Sequence, residues 1–102
     1  MSVLLAEVQP IQEPPVVSEL SDTSATITWT AAFGEVDMYI IQIVDVSMNT
    51  IINQSVNSSV TSFTLTGLNP ISDYRVVILT VDSDGNTAAS DVTTFTTYGM
   101  IS

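Results

Sequence analysis

The residues whose types and spacing come closest to a chemical site are Asp82, Asp84 and Asn86. They stand two apart, like the first three oxygen ligands of a calcium loop. Calcium needs about six to eight oxygens, and the full pattern places Gly sixth and Glu twelfth. Those places hold Thr87 and Thr93, and Gly85 comes too early. The expected structure is a polar hairpin tip in which Asp-Gly permits positive φ, and calcium is not expected. The 11 acidic residues of the chain could in principle supply a carboxylate pair for acid/base work. Nearly all fall in predicted turns or at strand ends, where solvated Asp and Glu belong, with no nucleophile or oxyanion device beside them. There is no His and no Cys, which removes the usual zinc sites, thiol chemistry and Ser-His-Asp triads. The chain is therefore read as a non-enzyme without cofactor or metal. Two glycosylation acceptors, Asn53-Gln54-Ser55 and Asn57-Ser58-Ser59, matter only in a glycosylating secretory route.

Charge narrows the partners. The formal net charge is −10, and Arg75 is the only cation among 102 residues. Nucleic acid and anionic membranes are held by clusters of Lys and Arg, so neither is expected as a partner. No apolar run is long enough to span a bilayer. The opening Met1–Pro10 lacks a positively charged segment before its short apolar run, so it is not expected to be a signal peptide. With 45% hydrophobic residues and 12% charged, the chain is globular rather than disordered.

The elements that must carry any site are strands. Val, Ile and Thr dominate from Val16 to Thr97 and turn residues recur at short intervals, which points to an all-β sandwich or barrel. Alternation is clearest in Ala25–Thr30, where Ala25, Ile27 and Trp29 face one way and three Thr the other. The predicted strands are Val16–Leu20, Ala25–Thr30, Met38–Val46, Thr50–Val56, Val60–Thr66, Tyr74–Val81 and Ala89–Thr97, seven in all. On the last, Val92 and Phe95 are three apart and cannot both face the core without a bulge.

Several residues together resemble the fibronectin type III domain. They are Pro14-Pro15, Trp29, Tyr39-x-Ile41 and Thr64-Leu65-Thr66-Gly67-Leu68-x-Pro70-x-x-x-Tyr74, followed by Val76 and Ile78. The resemblance implies a seven-stranded antiparallel Greek-key sandwich over residues 14–98. The extension over 1–13, which the family pattern does not require, is read as an edge strand or an exchanged or interface segment, and residues 99–102 as a tail. The resemblance also implies structural roles for Trp29, Tyr39, Leu65, Leu68 and Tyr74. Trp29 would fill the centre between the sheets. Tyr74 resembles a tyrosine corner, its hydroxyl bonded back to the backbone upstream. The loop where some family members carry an adhesive Arg-Gly-Asp reads Ser83-Asp84-Gly85, without the Arg.

A candidate binding surface follows from strand parity. If Tyr39, Ile41, Ile43, Tyr74, Val76 and Ile78 face the core, then Met38, Ile40, Val44, Val46, Val77, Leu79 and Val81 face outward, together with Arg75. In the family fold these two strands are neighbours, so one outer face becomes an apolar patch. Such a patch needs a cover, either a protein partner or the chain's own extension, which carries Val3, Leu4, Leu5, Val8 and Ile11. The expected role is a structural or interaction module of a larger surface or virion assembly, self-associating or joined to other subunits through this face and through Leu4 and Leu5. The alternative is a spacer or accessory domain of a secreted multidomain bacterial protein.

Overall fold

The computed structural model describes residues 8–99. It contains eight strands and, among the described residues, no helix: β1 Val16–Ser18, β2 Ala25–Thr28, β3 Met38–Asp45, β4 Thr50–Asn57, β5 Ser62–Leu65, β6 Asp73–Val81, β7 Thr87–Ala89 and β8 Thr93–Thr96. All pairings are antiparallel. One sheet has the order β1-β2-β5; the other runs β4-β3-β6 and continues onto β7 and β8, both paired with β6. The all-β sandwich is as expected, but the described residues form eight strands instead of seven.

The extra strand comes from a bulge that splits the last predicted strand. Leu79 faces Ala89, while Val76 faces Thr93. Val77 and Ile78 therefore lie opposite three residues, Ser90, Asp91 and Val92. The buried Ser90 bridges the gap: its N–H donates to the Ile78 carbonyl and its Oγ accepts from the Ile78 N–H, both at 3.0 Å. The inserted residue reverses the parity downstream. Phe95 reaches the core, whereas Val92 stays 51% exposed.

Alternation along each strand builds the core. Ala25 and Ile27 of β2, Tyr39, Ile41 and Ile43 of β3, and Tyr74, Val76 and Ile78 of β6 are buried together with Trp29, Leu65, Leu68 and Phe95. Trp29 lies one residue beyond β2 yet keeps the sheet's hydrogen bonding, donating its N–H to the Thr61 carbonyl at 2.9 Å. Its ring meets Tyr39 edge-on, centroids 5.8 Å apart, a favoured aromatic geometry. The Tyr39 hydroxyl accepts from the Ala32 N–H at 3.0 Å. Ile11, which the sequence places in the extension, is buried within the same core cluster. Val3, Leu4 and Leu5 lie outside the described residues, as do residues 100–102 of the predicted tail.

Candidate interaction surface

The outer face of the five-stranded sheet carries Met38, Ile40, Gln42 and Val44 from β3 and Arg75, Val77 and Leu79 from β6. Register sets Ile40 opposite Leu79, Gln42 opposite Val77 and Val44 opposite Arg75. The five apolar residues assigned from parity within the described chain, Met38, Ile40, Val44, Val77 and Leu79, are thus brought onto one face, and each is half-buried. Val81 belongs to this face by register, opposite Met38. It faces outward as parity expects but is only 7% exposed, and it stands apart from the sandwich core cluster. Val46, at the turn, is exposed.

The face is graded. Its apolar end holds Met38, Ile40, Val77, Leu79 and Val81. Gln42 interrupts it, donating from Nε2 to Asn53 Oδ1 on β4 at 3.2 Å. Beyond Gln42, Val44 sits between Ile51 and Arg75, and Thr94 and Thr96 of β8 follow on the polar side. The other sheet presents Thr26, Thr28 and Thr64 outward, with Thr26 and Thr64 hydroxyls 3.2 Å apart.

The Asp82 loop uses its own carboxylate internally. Asp82 Oδ1 accepts from the N–H groups of Asp84 and Asn86, both at 2.9 Å, and Oδ2 accepts from Asn86 Nδ2 at 3.2 Å. Burial acts to raise the Asp82 pKa, but hydrogen bonds from the Asn86 N–H and amide and the N–H groups of Asp84 and Gly85 outweigh it and hold it below the ordinary value. Gly85 takes φ of 85°, where a side chain would be strained. These features match the hairpin tip anticipated from Asp-Gly. Among the described residues no group of three or more metal-ligating side chains occurs. Asn57, in the second acceptor motif, is likewise engaged locally: its Oδ1 accepts from the Ser59 N–H and hydroxyl.

Two features escaped the sequence reading. Asp45 is a buried carboxylate, 5% exposed, not a solvated strand end. Its Oδ1 accepts from the N–H groups of Ser47 and Met48 at 3.0 and 3.1 Å, and Oδ2 accepts from Asn69 Nδ2 at 3.1 Å. Burial would raise its pKa, yet these donors, with the Tyr74 hydroxyl, hold it below the usual value. The polar spacing Asp45-x-Ser47-Met48 at a predicted turn is the signal that could have flagged it. The second is the apolar exposure of β4, where Ile51 and Ile52 are 58% and 43% exposed.

Asp45 abuts the corner foreseen at Tyr74. The Tyr74 hydroxyl accepts from the Asn69 N–H at 2.7 Å, and its ring stacks on Phe95 with centroids 5.4 Å apart. Burial first, and then the Asp45 charge, raise the Tyr74 pKa against the opposing pull of the Asn69 N–H. Gly67 turns the chain out of β5 at φ 71° and seats Leu68 in the core.

Comparison with known proteins agrees with this geometry. The chain is similar to the FN3 domain of human collagen XX in its crystal structure, at 21% identity over 92% of this chain and 100% of that one, with a TM-score of 0.75. A solution structure of the human collagen α-1(XX) domain gives a TM-score of 0.76 at 20% identity, covering 100% of this chain and 90% of that one. A two-domain segment of chicken tenascin is 26% identical, covering 86% of this chain and 50% of that segment, with a TM-score of 0.68. No curated protein matches the chain. The family model of the fibronectin type III domain matches residues 9–96, and the chain belongs to that family.

Proposed function

We propose that this domain is a non-catalytic structural and interaction module that binds protein through the outer face of its five-stranded sheet. In this reading it serves as a small subunit or appended domain of a larger assembly at a cell or virion surface, with the Leu4–Leu5 segment adding to the contact. Family membership supports the general kind, since fibronectin type III domains are interaction modules common at surfaces. The carrying observation is the cross-strand apolar group of Met38, Ile40, Val77 and Leu79, half-buried on a face turned away from the core. A group of this kind favours a protein cover over solvent. Acidity supports the same partner class, because one Arg among 102 residues gives no phosphate-binding patch.

The test is Ile40→Asp combined with Leu79→Asp. Both sites are off the core cluster, so the double variant is expected to fold while its assembled mass by light scattering falls below that of wild type. A folded double variant with wild-type assembly refutes the reading. A spacer role is favoured by one observation, the match to half of a two-domain tenascin segment. It expects a monomer at every concentration, with any function lodged in joined domains.

A further inference from the structure

Strand β4 is the free edge of the five-stranded sheet, paired with β3 on one side only among the described residues. All its residues but Val56 are exposed. Its sequence, Thr-Ile-Ile-Asn-Gln-Ser-Val-Asn, contains no charge, Pro or Gly, the devices by which edge strands resist pairing. Eight residues also make it one of the longest strands in the fold.

The hydrogen-bond phase shows which groups it offers. The Val46 N–H donates to the Asp73 carbonyl at 2.9 Å, so Val46 is a bonding position towards β6. Alternation then turns the backbone groups of Asp45, Ile43, Ile41 and Tyr39 towards β4. Their partners there are Thr50, Ile52, Gln54 and Val56. The N–H and C=O groups of Ile51, Asn53 and Ser55 are left facing the open edge. Gln54 Nε2 donates to the Ser55 carbonyl at 3.2 Å, as that phase requires of an edge acceptor.

Charge selects the occupant. No charged residue occurs between Asp45 and Asp73, a span that includes both β4 and β5, and β5 is an edge of the other sheet. Asp45 itself is buried. The exposed Glu19, Glu35, Asp37, Asp84 and Asp91 all lie outside this span. Two copies of a chain carrying −10 repel wherever carboxylates meet, and least where one neutral flank meets another.

We infer that β4 pairs antiparallel with β4 of a second copy, centred on Asn53, joining the two five-stranded sheets into one. Asn53 then faces its own counterpart and Ile51 faces Ser55 of the second copy, an arrangement with about six backbone hydrogen bonds. The outer faces of the two copies become one continuous face. This pairing is a different surface from the cluster around Ile40 and Leu79 and stands without it.

The test is sedimentation of the full chain over a dilution series at low and high salt, combined with amide hydrogen exchange. The expected result is a monomer–dimer equilibrium that tightens with salt, because screening weakens the repulsion between like-charged chains. The N–H groups of Ile51, Asn53 and Ser55 gain protection as concentration rises, whereas those of Ile52 and Gln54, bonded to β3, are protected throughout. Asn53→Pro deletes an N–H that the β3–β4 ladder does not use, and Asn53→Glu sets two carboxylates face to face. Each is expected to weaken dimerisation roughly thirtyfold or more, the two lost edge bonds of the symmetric pair setting that scale. Should Asn53→Pro unfold the domain, Asn53→Glu on its exposed face decides the matter. In the Ile40→Asp, Leu79→Asp variant the species that remains is this dimer, so the two readings fail separately. A chain monomeric throughout, a dimer unmoved by Asn53→Glu, or edge N–H groups that exchange freely in the dimer overturns the inference.

Discussion

Replacing Tyr74 by Phe isolates what one hydroxyl does for the sandwich. Tyr74 is 2% exposed, and Phe keeps its ring, its burial and its stack on Phe95. What disappears is the acceptor 2.7 Å from the Asn69 N–H, together with the hydroxyl's part in holding the Asp45 carboxylate ionised. A net hydrogen bond is worth about 1 kcal/mol, and leaving a part-buried N–H without an acceptor adds about 1 kcal/mol more, giving about 2 kcal/mol in total. For a domain of this size each kcal/mol moves Tm by about 4–8 °C, so a fall of about 10 °C is expected. Thermal unfolding followed by circular dichroism measures it, and urea titration should show a lower midpoint at unchanged slope. Tyr98→Phe is the control. That ring is 58% exposed, and the substitution should stay within about 0.5 kcal/mol of wild type. A Tyr74→Phe domain melting within about 2 °C of wild type refutes the assignment of the corner as a fastening of the turn.

Two further outcomes follow from individual polar side chains. Thr80 is fully buried, and among the described residues its Oγ1 has no hydrogen-bond partner. Thr80→Val keeps the shape and β-propensity and removes an unsatisfied hydroxyl, so the urea-derived stability should rise by about 1 kcal/mol; a loss of stability sinks the argument. Asp45 and Asp82 both have lowered pKa values. A depressed folded-state pKa contributes stability that is complete above the ordinary carboxyl value near about 4 and is lost as pH falls through the folded value. From neutrality down to about pH 5 the easing of self-repulsion acts the other way. Denaturant midpoints should therefore hold or rise down to about pH 5, then fall, with a shallower acid limb in Asp82→Asn. A wild type whose midpoint does not drop on that limb refutes the assignment.

The fold class is legible in the order of the residues, because the informative signals are local. Period-two alternation in Ala25–Thr28 sets which side chains face inward there, whereas Met38–Val44 is apolar at both parities but for Gln42 and takes its inward set from the resemblance at Tyr39 and Ile41. Trp29, Leu68 and Tyr74 are types with one good place in a two-sheet core. The same parity put Met38, Ile40, Val77 and Leu79 on one outer face, since neighbouring strands have only two faces to choose between. The rest depends on how distant segments pack. Parity could say that Val92 and Phe95 conflict, but the split of the last strand at Ser90 depends on which β6 groups lie opposite. Parity likewise could not bury Val81, which sits on the outer face by register and is nevertheless enclosed. Asp45 looked like a solvated strand end because its partner Asn69 is distant in sequence and comes close only when the sheets pack. The exposed edge at β4 depends on strand order, a property of pairing between distant segments that no local pattern encodes.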